Sequence, residues 1–457
     1  MLDKIGVVIF DDEDAHASGW AALPQGESFR IGTTADLSDA GRGLSSDFVW
    51  VTNLDDTALF RAGLGNHTRF RSRSFLHEKL HDLGARLGVP EDDPRAMAEV
   101  MATVVYRVLL MGNQLVGLEK VPQRSLSEGL RRHLWPEFNP VVDDEVQRAL
   151  QDATTWFQTC ESYNRMRRAQ FGAVMFPQAS YSAAILSEIR VPSPDWSQVR
   201  TAQLPDSPEK VNGWAKEMPF PLLARVRISD FDPDVYPLIN YGGGFGATDQ
   251  RVWLSLPELV WMSEVSAVTV LEAFVSREWL PIPMVDDLLD NLGGGEDIYN
   301  LSVSASLFLH NAWLSLGLQW HRPGPSQAGS INPITPFLRA MDRHQCFYKA
   351  AELACDGVVV RGYGMGRFIV SLPSTAEMSE LVTQIAYPHN LIPPYTGITE
   401  EQERRATHKM PAQPEWLTAT QRLFAAPEVE GADPGYLRAL ATESRFFTAP
   451  SSHQKAV

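Results

Sequence analysis

Apolar positions change their period several times along the chain. Residues 4–10, KIGVVIF, form a short β-branched run that ends at the acids DDED, which predicts a buried strand closed by a polar turn. Further strands are predicted near 28–32 and 48–52. From 75 to 88 the period lengthens: Phe75, Leu76, Leu80, Leu83 and Leu87 recur at helical spacing, and Gly88 and Pro90 stop the run. Residues 94–118 read as a long apolar helix entered through EDDP, where acids and a proline suit a helix N-terminus. Strands flanked by helices make residues 1–120 an α/β unit.

Residues 121–220 read as mixed helix and loop. A helix is predicted over 141–166, and the Pro-, Ser- and Asp-rich stretch 191–210 reads as linker. LLARVRISDFD (222–232) alternates as a strand does. WLSLPELVWMSEV (253–265) reads as strand then helix, and 267–281 as strands. Apolar helices are predicted over 300–320 and 334–354. VVVRGYGMGRFIVSL (358–372) has the form of a strand–turn–strand hairpin. The organisation expected is therefore 1–120, 121–220, a core over 221–375, and a C-terminal region over 376–457 that is helical in parts and ends in a polar tail. No internal repeat is visible.

With 457 residues and 44% hydrophobic content, the chain is large enough for several packed units. No signal peptide and no apolar run of membrane-spanning length is read from it, so no membrane partner is expected. Three cysteines, with no CxxC pair, argue against a disulfide framework or a structural zinc site, and a cytoplasmic setting is expected. The charge of −16 favours protein partners over indiscriminate DNA binding. Local basic spots remain, and Arg69, Arg71 and Arg73 on alternate positions are the candidate nucleic-acid contacts. GGGFG and GGGE lack the GxxxxGK[ST] spacing and read as turns. No HExxH and no GxSxG occurs, so zinc-hydrolase and serine-hydrolase chemistry find no support.

Four segments, in order, carry a resemblance to family B DNA polymerases of the protein-primed branch. In ISDFDPDVYPLIN (228–240), Asp234-Val235-Tyr236-Pro237 is similar to the end of the family's D-x-x-S-L-Y-P strand, with Tyr236 as the sugar-reading tyrosine. The metal aspartate would stand at Phe231, flanked by Asp230 and Asp232. Residues 251–281 resemble the segment that follows. The helix SASLFLHNAWLSLGLQW (304–320) resembles the helix carrying K-x-x-x-N-S-x-Y-G, with Leu309, Trp313 and Leu316 on the lysine, asparagine and tyrosine and Gly317 on the glycine. The hairpin resembles Y-x-D-T-D-S: Tyr363 matches, and Met365 and Arg367 take the places of the two aspartates. At the N-terminus, FDDED is similar to the proofreading exonuclease's F-D-x-E through Asp11 and Glu13. Asn53 matches its second motif, with Asp55 and Asp56 early. Val104 takes the third motif's acid, and Glu99 is the nearest acid on that helix.

The resemblance implies α/β plus α+β architecture: an RNase H-like exonuclease-type domain, then a palm-like antiparallel sheet with a helical fingers-like region. It implies that strand 225–232 pairs beside the hairpin. Two-metal phosphoryl transfer needs clustered carboxylates, and methionine and arginine hold no magnesium. The expected function is a catalytically inactive polymerase-like protein of a phage or mobile element. DNA or a protein would be its partner and it would need no cofactor. Arg367 could form a salt bridge where metal would sit. Two other readings stay open: a residual 3′–5′ exonuclease or divergent active polymerase using magnesium, and an unrelated α/β scaffold.

Overall fold

The computed structural model describes residues 2, 4–12, 18–24, 27–65, 69–77, 80, 83–84, 87, 89–90, 92–134, 144–153, 158–159, 170–176, 178–232, 238–239, 250–292, 303–317, 333–372, 381–386 and 388–391. The predicted strands near 4–10, 28–32 and 48–52 appear as β1 (Ile5–Phe10), β3 (Ser28–Ile31) and β4 (Val49–Thr52), and β2 (Gly19–Ala22) and β5 (Phe70–Arg71) complete a five-stranded sheet of order β3-β2-β1-β4-β5. β1 pairs antiparallel with β2 and parallel with β4, and β4 pairs parallel with β5. All six residues of β1 are buried, because both faces of the sheet are covered. Val7 and Ile9 join the main core, whereas Val8 and Phe10 face a second cluster around Trp50 and Leu59. α1 (Asp56–Arg61) lies between β4 and β5.

α2 (Pro94–Val116) packs on β1 and β2. Asp93 caps it by accepting from Ala96 N–H at 2.9 Å, Pro94 starts it, and Gly117 ends it in the left-handed conformation at φ 72°. At 23 residues it is long and apolar enough to cross a membrane by length and composition, contrary to the sequence reading. Here its apolar surface is buried in the main core.

α3 (Leu126–Leu134) and α4 (Asp144–Asp152) follow. The helix predicted over 141–166 is shorter than expected: α4 ends at Asp152, and Gln158–Thr159 is a strand, β6. The stretch read as mixed helix and loop contains strand β7 (Gln170–Met175) and helix α5 (Gln178–Glu188). The predicted linker is structured as β8 (Val191–Pro192), β9 (Trp196–Gln198) and the start of α6 (Pro208–Lys216). Pro192 ends β8 and Pro208 opens α6, places where a missing N–H costs little.

β10 (Leu222–Ser229), β11 (Gln250–Ser255), α7 (Leu256–Val265), β12 (Ala267–Ser276) and β13 (Trp279–Leu280) lie where their alternation placed them. Their sheet is antiparallel, of order β11-β10-β12-β9, and β13 pairs with β8. α8 (Pro283–Leu292), α9 (Val303–Leu316) and α10 (Ile334–Cys355) lead to the hairpin β14 (Val359–Gly364) and β15 (Arg367–Leu372). A helical turn spans Leu381–Ala386.

The hairpin belongs to a separate sheet of order β6-β14-β15-β7. Strand 225–232 therefore does not pair beside it, which corrects the expectation drawn from the resemblance. β15 pairs instead with β7, from Arg367↔Met175 to Leu372↔Gln170. A strand's alternation specifies that one face is buried, but not which neighbour covers its edge.

Candidate functional site

Gly364 and Arg367 pair across the hairpin end, leaving Met365 and Gly366 as a two-residue loop. Both have positive φ, 55° and 67°, as a type I′ hairpin requires to match strand twist. Glycine suits that conformation at 366. A Cβ there would also lie 2.9 Å from Cε1 of Tyr181.

The loop's two N–H groups point at one carboxylate. Asp342 Oδ2 accepts from Met365 N–H at 2.6 Å, and Oδ1 accepts from Gly366 N–H at 2.9 Å. The Tyr181 hydroxyl donates to Oδ1 as well. Asp342 lies on α10, fully buried, and Tyr181 lies on α5 just beyond β7. Burial pushes the Asp342 carboxyl above its ordinary range while its three donors pull the other way. Burial also raises the Tyr181 hydroxyl and the neighbouring Cys346 thiol well above their ordinary values.

Aromatic rings fill the space around this cluster. Tyr181 stacks on Phe176 with centroids 4.7 Å apart, Phe176 meets Phe368 edge-on at 5.2 Å, and Tyr181 meets Trp313 at 6.1 Å. Trp313 and Leu309 are fully buried on α9. The fold thus gathers the hairpin and the helix singled out in the sequence through Tyr181, a residue the motifs did not mark. Tyr363 is buried and donates to the Leu238 carbonyl at 3.0 Å.

Asp230 and Asp232 follow β10, whose sheet is not the hairpin's. Asp230 takes φ 49° and accepts from the Ser229 hydroxyl at 3.2 Å, and Asp232 N–H donates to the Val265 carbonyl. Asp234, Tyr236 and Pro237 lie outside the described residues. The strand beside the hairpin, β7, ends at Met175.

Arg367 is half-buried. Its Nη2 donates to the His77 carbonyl at 3.2 Å, and no ion pair to a carboxylate forms among the described residues. The salt bridge expected at this position is replaced by a main-chain contact. His77 in turn bonds Ser127 through Nε2, and burial, then the Arg367 charge, holds its pKa down at about 4.

Beside the N-terminal sheet, Asp11 accepts from Arg30 Nη1 at 2.7 Å, from Arg30 Nη2, and from the Ser18 hydroxyl at 2.6 Å. The Arg30 contact keeps its carboxyl below the usual range. Glu13 lies outside the described residues. Asn53 is buried and pairs with both main-chain groups of Phe10 at 3.0 Å, extending the β1–β4 ladder. Asp55 caps α1 by accepting from Ala58 N–H at 2.7 Å, which lowers its pKa, and it meets Arg73 at 3.3 Å. Asp56 opens the same helix. Val104 is buried, and Glu99 accepts from Ser28 and Arg95.

The basic spot points largely inward. Arg69 bonds the Leu37 and Phe48 carbonyls and the Ser38 hydroxyl. Arg71 is buried, bonds the Pro122 and Phe70 carbonyls, and has its pKa lowered by burial to about 10. Among the described residues no group of three or more His, Cys, Asp or Glu side chains is placed to hold a metal ion.

No protein-family model and no curated protein matches the chain. Among solved structures it is similar to Phi29 DNA polymerase complexed with primer-template DNA and incoming nucleotide substrates, at 10% identity and TM-score 0.43, over 84% of this chain and 82% of that one. It is also similar to Phi29 DNA polymerase complexed with single-stranded DNA, at 12% identity and TM-score 0.38, over 64% and 53% of the two chains. The chain is a mixed α/β protein with a distant structural similarity to phi29 DNA polymerase at low sequence identity.

Proposed function

We propose that the chain is a non-catalytic, DNA-binding relative of the protein-primed family B polymerases. On this reading residues 1–120 are an RNase H-like unit that no longer cleaves, and β7 with the hairpin is the remnant of the palm. A protein partner, a cytoplasmic setting and an origin in a phage or mobile element belong to the same reading.

The observation that carries it is the closure of the hairpin tip. The loop amides are bonded to buried Asp342 and the space beside them holds Tyr181, Phe176 and Phe368. A two-metal centre needs carboxylates open to two divalent ions and a substrate phosphate. Here the resemblance puts Phe231, Met365 and Arg367 at the metal positions, and Asp342 has its oxygens engaged by the Met365 and Gly366 N–H groups and the Tyr181 hydroxyl. In the N-terminal unit, the engagement of Asp11 by Arg30 and Ser18 supports the same loss.

The test uses the purified full chain with a labelled primer-template and with single-stranded DNA. Fluorescence anisotropy at low salt is expected to show binding. Incubation with magnesium or manganese and all four deoxynucleoside triphosphates is expected to leave the primer neither extended nor shortened. Extension or degradation that Asp11→Ala or Asp230→Ala abolishes would refute the non-catalytic assignment, and absence of binding would refute the DNA assignment.

A further inference from the structure

Alternation along β10 gives its sheet two unlike faces. Ala224, Val226 and Ile228, with Leu254 of β11 and Val268 and Val270 of β12, are buried in the main core. On the other face Leu223 and Phe274 are covered by Val146, Ala149 and Leu150 of α4. Beyond that cover the same face carries Arg225 and Arg227, both exposed. The register sets Arg225 opposite Trp253 of β11 and Glu272 of β12. It sets Arg227 directly opposite Arg251 of β11, which is also exposed.

Like charges directly across an antiparallel pair repel, with Cβ atoms about 5 Å apart. Arg225 follows Arg227 on the same strand face about 7 Å away. Arg225 meets Glu272 at 3.2 Å, whereas Arg251 makes no ion pair among the described residues. Three cations thus share this face with one acid, in a chain whose net charge is −16. Positive charge gathered against the charge of the whole chain selects an anionic partner. The half-buried Trp253 narrows the choice. It lies on the same face two residues from Arg251, with its ring stacked on Phe274 at 5.6 Å. Aromatic rings set among cations on an open sheet face let bases stack while the guanidinium groups hold phosphates. A chain of carboxylates would answer the arginines and leave the indole unused. The bases of a duplex are already stacked on one another. We infer that this face holds a single-stranded nucleic acid, with phosphates on Arg225, Arg227 and Arg251 and a base on Trp253. The inference rests on the DNA-binding reading above and gives it a surface.

The test is fluorescence anisotropy of the full chain with a labelled oligothymidylate across a salt series. Arg251→Gln is expected to bind at least about threefold more weakly, with the slope of log K against log salt reduced by about 0.7. Arg251→Lys is expected to keep the slope. Trp253→Leu is expected to bind about tenfold more weakly with the slope unchanged, because stacking releases no counterions. Glu272→Gln removes the acid beside Arg225 and is expected to bind at least about twofold more tightly. A misfolded variant does not gain affinity, so that change reads the site itself. A duplex of the same length and polyglutamate at equal charge concentration serve as competitors.

If the wild type binds oligothymidylate and Arg251→Gln, Trp253→Leu and Glu272→Gln all bind it equally, the inference fails while the DNA-binding function stands. If the duplex competes as strongly as unlabelled oligothymidylate, or polyglutamate does, the occupant is not a single strand and the inference is overturned. If the wild type binds neither oligothymidylate nor duplex, the inference and the DNA-binding function fall together.

Discussion

The Asp342 carboxylate accepts the main-chain N–H of Gly366 at 2.9 Å, tying a buried helix to the loop of a hairpin that follows it in the chain. The same group takes Met365 N–H and the Tyr181 hydroxyl, so one side chain fixes α10, α5 and the hairpin tip together. A buried acceptor with this many donors is hard to replace, since each orphaned donor loses its bond without regaining water.

Asp342→Ala is therefore expected to destabilise the protein by about 3–5 kcal/mol. Asp342→Asn keeps the shape but turns an amide NH2 toward a donor, and is expected to cost about 1–3 kcal/mol. Urea unfolding followed by tryptophan fluorescence checks both. A midpoint unchanged for Asp342→Ala would mean that the loop is held by other contacts.

Gly366 and Gly357 both have positive φ, 67° and 83°, but only at Gly366 does an added Cβ meet anything, namely the Tyr181 ring. Alanine at either position pays the left-handed penalty of about 1–2 kcal/mol. Gly366→Ala is expected to cost at least about 1 kcal/mol more than Gly357→Ala, because Tyr181 must shift from its stack on Phe176. Parallel denaturation curves of the two variants give the difference.

The Arg343–Glu258 pair joins α10 to α7 in the dry interior. Arg343→Met or Glu258→Leu alone leaves a buried charge, with an expected loss of about 3–5 kcal/mol. The double variant is expected to recover most of that loss, since apolar replacements remove both desolvation costs together. A double-mutant cycle by chemical denaturation measures it, and a double variant as unstable as the sum of the singles would contradict it.

His77 gives the stability a pH dependence. Its folded pKa of about 4 lies below the unfolded value of 6.5, so the unfolded chain binds the extra proton first as pH falls. The contribution is complete above pH 6.5 and declines as pH falls toward 4, by an amount on the order of 3 kcal/mol. His77→Asn, which tolerates the φ of 58° at this position, is expected to flatten that limb of the stability–pH curve. Arg367→Gln is expected to raise the His77 pKa, because the arginine charge helps to depress it, and an NMR titration of the ring reads that shift.

The sequence by itself determined the local pieces. Alternation placed β10, β11 and β12, helical spacing placed α9 and α10, and the glycines around Met365 placed the hairpin loop. Those features depend on neighbours within a few residues, where period and turn chemistry decide conformation. The partners of each piece were decided only by the tertiary structure. β7 lies beside the hairpin although β10 carries the more strongly patterned strand, because edge pairing depends on which surfaces the whole fold leaves to be covered. Asp342 reads in sequence as one of several charged residues on its helix. It becomes the anchor of the loop only when α10 is packed against β14 and α5, where burial turns each hydrogen bond into a requirement. Arg71 likewise reads as part of a basic surface and folds inward onto carbonyls from a distant segment, since its long apolar stem and planar donors suit an interior strut as well as a phosphate contact.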